Sequence, residues 1–132
     1  MPAPRLRSRQ ASSPRAKRPP APARLVAVPT RTDLSTVEQE WYLLHATRSP
    51  PMHAQRLRWA VAMCWQAYVQ GRVESLRKNL RLHMDQDYLQ AGIMGVYQAA
   101  ERYRLNGTWT ACVYWGVRTA LQQEGRQQQL GG

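Results

Sequence analysis

From about residue 33 onward, apolar residues recur at helical spacing, and turn residues divide them into five runs. Ser35-Thr36-Val37-Glu38 has the spacing of a capping box, in which the Ser hydroxyl and the Glu carboxylate satisfy each other's backbone N–H groups. Val37, Trp41 and Leu44 form the apolar stripe behind it. Arg48-Ser49-Pro50-Pro51 ends this helix, because a residue before proline is pushed out of the helical region. A second helix is predicted over 52–70, with Leu57, Ala60, Val61, Cys64 and Tyr68 inward and Trp59, Met63 and Trp65 broadening the stripe. Gly71 closes it. Residues 72–83 are Arg-rich and carry Val73, Leu76, Leu80 and His83 on one side, a short third helix.

Asp85 caps a fourth helix over 86–103, which turns Leu89, Ile93, Val96, Tyr97 and Ala100 inward. Gly92, Gly95 and Ala99 leave a second strip of it almost bare. Glycine within a helix costs about 0.5–1 kcal/mol relative to alanine, so two of them predict a closely packed neighbour. Asn106-Gly107 is a turn. Thr108 or Thr110 then caps a fifth helix to Glu124, with Val113, Val117, Ala120 and Leu121 as its core face. Beyond Gly125 the Gln-rich end, 127–132, is expected to fray. No segment has strand period and no repeat is visible. The expected fold is all-α, a compact bundle of about five helices over 33–126.

Charge changes the picture of the first 32 residues. The chain carries 19 Lys and Arg against 8 Asp and Glu, a net charge of +11. Eight of those bases and none of the acids fall in residues 1–32, together with seven of the nine prolines. Such a stretch cannot bury enough apolar surface to offset its ordering entropy, so a disordered basic arm is expected. The arm either adds phosphate contacts or only keeps the chain soluble. A chain this basic points to nucleic acid or another polyanion.

Other classes of function find no support. The apolar runs are too short for a membrane span, and the prolines of the arm forbid the amphipathic helix of a transit peptide. Cys64 and Cys112 lack Cys-x-x-Cys spacing, which fits a reducing, cytoplasmic compartment, and both read as small hydrophobes in helices. His45, His53 and His83 are scattered, so no metal or other cofactor is expected. No cluster of His, Cys or carboxylates has a spacing that catalysis requires. The chain reads as a binder, not an enzyme.

The stretch over 87–126 adds a resemblance. Asp87-Tyr88-Leu89-Gln90-Ala91-Gly92-Ile93-Met94-Gly95 resembles the Asp-Leu-Ile-Gln-[Glu/Ala]-Gly-x-x-Gly helix in region 2 of bacterial sigma factors of the primary and flagellar type. Ala99-Ala100-Glu101-Arg102-Tyr103 resembles that helix's ending, Ala-x-[Glu/Asp]-[Lys/Arg]-[Phe/Tyr]. Some 30 residues before it, from Ala54, match more loosely. The resemblance implies a helical fold that grips the clamp coiled coil of core RNA polymerase. Asp87, Gln90, Ala91, Met94 and Tyr97 would be the polymerase-binding residues.

After the turn, Trp109-Thr110 resembles the family's Phe-[Ser/Glu] step, and Trp115-Gly116-Val117-Arg118 its Trp-Trp-Ile-Arg. The resemblance implies engagement of the promoter −10 element. The chemistry agrees. Opening a duplex needs aromatic faces that replace lost stacking, about 1–3 kcal/mol per base, and a cationic rim for the freed backbone. Trp109, Tyr114, Trp115, Arg118, Gln122 and Arg126 are the candidates, with Arg102 and Arg104 before the turn. Trp115, Arg118 and Gln122 share one helix face at i, i+3 and i+7. Core packing of Trp109 and Trp115 is the competing reading.

Three departures bear on the reading of DNA. Cys112 stands where most members carry a tyrosine that stacks on the flipped adenine, Ala111 replaces a threonine, and Gly116 replaces the second tryptophan. The turn before Trp109 is about two residues shorter than the family's. No residues after Gly125 suit the helix-turn-helix that reads the −35 element, so promoter DNA would be engaged with a second protein or an activator. The leading expectation is a sigma-like initiation factor. A sigma mimic that occupies the clamp without reading DNA, and a general basic nucleic-acid-binding module, stand beside it.

Overall fold

The computed structural model describes residues 25–80, 85–105 and 107–131, with the side chains of 77–85 and 130–131 outside that description. Among these residues five helices follow one another: α1 (Thr36–Ala46), α2 (Pro51–Met63), α3 (Gln66–Leu80), α4 (Asp85–Arg102) and α5 (Trp109–Gly131). No strand occurs among the described residues, and no helix there is long and apolar enough to cross a membrane. The all-α expectation holds. The arm over 1–24 and the roles expected of Leu80, His83, Asp85 and Asn106 lie outside the described residues.

The start of α1 follows the sequence closely. The Glu38 N–H donates to the Ser35 hydroxyl at 3.1 Å, and the Ser35 N–H donates to the Glu38 carboxylate at 2.8 Å. That carboxylate also takes a 2.8 Å ion pair from Arg31. Its buried face is different from the one predicted. Val37 is 74% exposed and Trp41 about half exposed, while Gln39, Leu43 and Ala46 turn inward. The offset has a polar cause. Gln39 Oε1 accepts the indole N–H of Trp65 and that of Trp109, each at 2.7 Å, and its amide donates to the Leu34 carbonyl at 2.9 Å. An amide with both acceptor positions and one donor used in this way can be buried, whereas unpaired it would not be.

Two helix ends differ from expectation. The break after α2 falls at Cys64-Trp65, not at Gly71, which lies inside α3. There the N–H groups of Cys64 and Trp65 reach back three residues, to Val61 and Ala62, both at 3.0 Å. This tight turn needs no glycine or proline and leaves Trp65 in reach of Gln39. At the other end, α5 continues through Gly125 to Gly131 instead of fraying at 127. A Gln128–Glu124 hydrogen bond of 3.2 Å joins its last turns.

The ordered body also begins earlier than Asp33. Residues 25–34 run without helix or strand across α1 and α2. Val26 and Val28, two apart in Leu25-Val26-Ala27-Val28, pack beside Ala46, Ala54 and Leu57. Leu34 is buried, and His53 Nε2 donates to the Val26 carbonyl at 2.6 Å. Alternating apolar residues, not helical periodicity, carry this segment's burial.

The main core lies where α4 meets α5, the most extensive helix contact, and α2 and α3 pack on α4 from other sides. The predicted close neighbour of the glycine strip is α5 itself. A Cβ built on Gly95 would lie 2.7 Å from the Gly116 carbonyl oxygen, and one on Gly116 would lie 2.8 Å from that of Gly95. On Gly92 it would collide with the Val69 side chain of α3. Gly116 therefore serves a backbone-to-backbone helix crossing. Between α4 and α5, Leu105 takes a left-handed φ of 66°.

Candidate functional site

Two surfaces result, one on α4 and one across α3 and α5. On α4 the exposed stripe is set by helical spacing. Asp87, Gln90, Ala91, Met94 and Gln98 follow at i, i+3, i+4, i+7 and i+11, while Tyr88, Gly95 and Val96 are buried on other sides. Gln90 and Met94 are exposed and border an open groove of about 390 Å³. Trp59, Leu89 and Ile93 form its apolar part, with Gln66 and Gln70 from α3 opposite. Asp87 and Ala91 are half-buried beside them.

Tyr97 does not belong to this surface. It is 8% exposed and stacks on Trp59, with ring centroids 4.3 Å apart and planes at 17°. Burial, then the Glu101 carboxylate, pushes its hydroxyl above the ordinary tyrosine range. Its inward turn follows from α4 packing on α2 through Trp59.

The residues expected to meet DNA divide into two groups. Trp109 is fully buried, against the expectation of an exposed stacking face. Trp65 meets it edge-on at 6.5 Å and Tyr103 lies at 5.3 Å, while its N–H is held by Gln39. Its faces are inside the core and open to no base. Trp115, by contrast, is 64% exposed, and Tyr114 is 49% exposed while its ring contacts Trp65 and Tyr68. Arg118, Gln122 and Arg126 are exposed farther along α5. Arg102 and Arg104 are exposed as well, but at the α4–α5 turn, about 25 Å of helix from Arg126 at roughly 1.5 Å per residue.

Cys112 faces α4. Its thiol donates to the Ala99 carbonyl at 3.7 Å, and burial raises its pKa above the ordinary thiol value, with Arg102 opposing weakly. Cys64 does likewise, bonding the Ala60 carbonyl at 3.4 Å, with burial the largest cause of its raised pKa. Burial thus favours the thiol over the reactive thiolate at both positions. Among the described residues no group of three or more His, Cys, Asp or Glu is placed to hold a metal ion.

Sequence reasoning missed the wall opposite α5. Tyr68 of α3 touches Tyr114 of α5, and beyond that contact the two helices border a groove of about 460 Å³ floored by Tyr88 of α4. Arg72 lies one turn after Tyr68, as Arg118 lies one turn after Tyr114, and both line the groove. The signal was present, since Tyr68 and Arg72 are i, i+4 neighbours. Placing the helix break at Gly71 separated them. Comparison with family models, with curated proteins and with solved structures finds no match for this chain.

Proposed function

We propose that the chain is a sigma-like transcription initiation factor. It binds bacterial core RNA polymerase through the exposed stripe of α4 and promoter −10 DNA through α5. One observation carries the reading. In the helix whose sequence resembles the sigma clamp-binding motif, Gln90 and Met94 are exposed and Asp87 is half-buried beside them, while the motif's glycines are used for helix packing. The polar members of the motif are thus available to a partner, and the small ones already have a structural use. Trp115, Arg118 and Gln122 supply an aromatic face, a cation and an amide on the neighbouring helix, a combination suited to unstacked bases and backbone. The polymerase does the chemistry; this chain positions it.

The deciding experiment is size-exclusion co-elution with bacterial core RNA polymerase, wild type beside Asp87→Ala/Gln90→Ala. Circular dichroism establishes that the double variant folds. Co-elution of the wild type and not of the variant is the expected result. Failure of both to bind removes the sigma reading and favours a general nucleic-acid module. A second reading, the clamp-occupying mimic, draws on the burial of Trp109 and the inward turn of Cys112, which together remove two side chains from the DNA face. Permanganate reactivity of promoter thymines separates the two: an initiation factor opens the −10 region, and a mimic leaves it closed.

A further inference from the structure

We propose that the outer face of α1 is a docking surface for a proline- and arginine-rich segment, and that this chain's own residues 15–24 occupy it. The dock needs neither polymerase nor DNA.

The face is built from the stripe that helical spacing marks as core. Val37, Trp41 and Leu44 recur at i, i+4 and i+7, yet the bonds of Gln39 turn them away from the bundle. Val37 is 74% exposed, and Trp41 is 48% exposed with its ring 4.1 Å from that of His45. α1 packs on α2 and α5, and its buried residues Gln39, Leu43 and Ala46 lie on the opposite side. Carboxylates flank the stripe. At about 100° per residue, Glu38 falls on one side of it and Glu40 on the other.

Charge names the occupant. Residues 33–47 hold Asp33, Glu38 and Glu40 and no Lys or Arg, in a chain of net charge +11. Arg31, paired with Asp33 at 3.5 Å and with Glu38 at 2.8 Å, offsets one of the three acids. The Tyr103 hydroxyl donates to Glu40 Oε2 at 3.3 Å, which engages one of its two oxygens. A second copy of the chain would set these carboxylates against their own kind. Residues 1–24 bring seven bases and no acid.

Position narrows the choice to 15–24. The segment over 25–34 runs back along α1, from Val26 beside Ala46 and His53 to Leu34 at the helix start. Residue 24 is therefore joined beside the last turn of α1, which holds His45, with Trp41 one turn farther back. α1 is about 16 Å long at roughly 1.5 Å per residue, a span that about five extended residues cover. Arg15-Ala16-Lys17-Arg18-Pro19-Pro20-Ala21-Pro22 lies within ten residues of Leu25. Its prolines restrict the backbone to extended angles before docking, and proline rings suit an aromatic surface such as Trp41. Its guanidinium groups suit both the face of Trp41 and the flanking carboxylates. Docked, the segment shields the stripe from water and holds Arg15, Lys17 and Arg18 away from polyanions.

The test is zero-length carbodiimide cross-linking of the full chain, in which Lys17 and Lys78 are the two lysines. Isotope-labelled and unlabelled protein are mixed, and mass spectrometry of the linked peptides separates bonds within one chain from bonds between chains. Lys17 should join Asp33, Glu38 or Glu40 of its own chain at least about threefold more often than Asp87, Glu101 and Glu124 together, and high salt should suppress these links. Val37→Ser/Trp41→Ala keeps the carboxylates and removes the apolar seat, and its links from Lys17 to α1 should fall about threefold. Thermal melts establish that it folds. Arg15→Gln/Arg18→Gln lies outside α1, keeps Lys17 as reporter, and should lower the same links about threefold. Links spread evenly over all the acids would mean unlocalised charge attraction and overturn the dock. Links mainly between chains would overturn it in favour of exchange between copies. Unchanged links in either variant would also overturn it, since the stripe or the arginines would then contribute nothing.

Discussion

Gln39 shows how one polar side chain can set the face of a helix. Its carbonyl takes two indole N–H groups and its amide gives to Leu34, so α1, the α2–α3 turn, α5 and the segment before α1 all meet at one residue. Gln39→Ala leaves the buried Trp109 donor and the half-buried Trp65 donor unpaired, each worth about 1–3 kcal/mol, and should lower stability by roughly 3 kcal/mol in urea unfolding. Glu38 makes the opposite kind of contribution, exposed and dependent on pH. The Ser35 backbone N–H is the chief cause holding its carboxyl below the ordinary glutamate range; desolvation opposes it, and the Ser35 hydroxyl and Arg31 add to it. A depressed folded pKa means stability that is present above the unfolded value and is lost as pH falls through the folded one. Thermal melts from pH 6 down to pH 3 should therefore fall less steeply for Glu38→Gln than for wild type.

At the scale of elements, glycines separate by what lies beside them. Gly116 and Gly95 sit where α4 and α5 cross, each facing the other's carbonyl oxygen. Gly71 has nothing within 4 Å of a Cβ built on it. Alanine normally stabilises a helix interior by about 0.5–1 kcal/mol relative to glycine. Gly71→Ala should show that gain, while Gly116→Ala should reverse it and cost about 1–2 kcal/mol through overpacking, both read from denaturation midpoints. The existence of five helices, the capping box at Ser35 and the tight packing of α4's small residues were legible in the sequence, because each depends on local spacing. The α2–α3 break was not, since it follows from three-residue backbone bonds and from Trp65 reaching Gln39, neither of which leaves a breaker residue. The burial of Trp109 was hidden for a related reason. Its partner Gln39 is 70 residues away and polar, so no apolar pattern marks the pair.

For the whole molecule, the layout separates two kinds of surface. α4 lies at the centre, giving one stripe to solvent and its remaining sides to α2, α3 and α5, so that stripe and the α3–α5 groove occupy different faces. The site was half legible. The α5 residues were readable as a stripe, but the facing wall at Arg72 comes from how two helices converge, which spacing along either one does not encode. The same layout gives the protein its own optical probes. Trp109 is sealed in the core and Trp65 is hydrogen-bonded beside it, whereas Trp115 projects into water next to a cationic face. With the half-exposed Trp41 replaced by Phe, iodide should quench a red-edge component of the emission and leave a blue component dark to it, and a further Trp115→Ala should remove most of the quenchable light. The sealed Trp109 then reports on whether the chain is folded, and the exposed Trp115 on whether its basic face is occupied, from a single unlabelled sample.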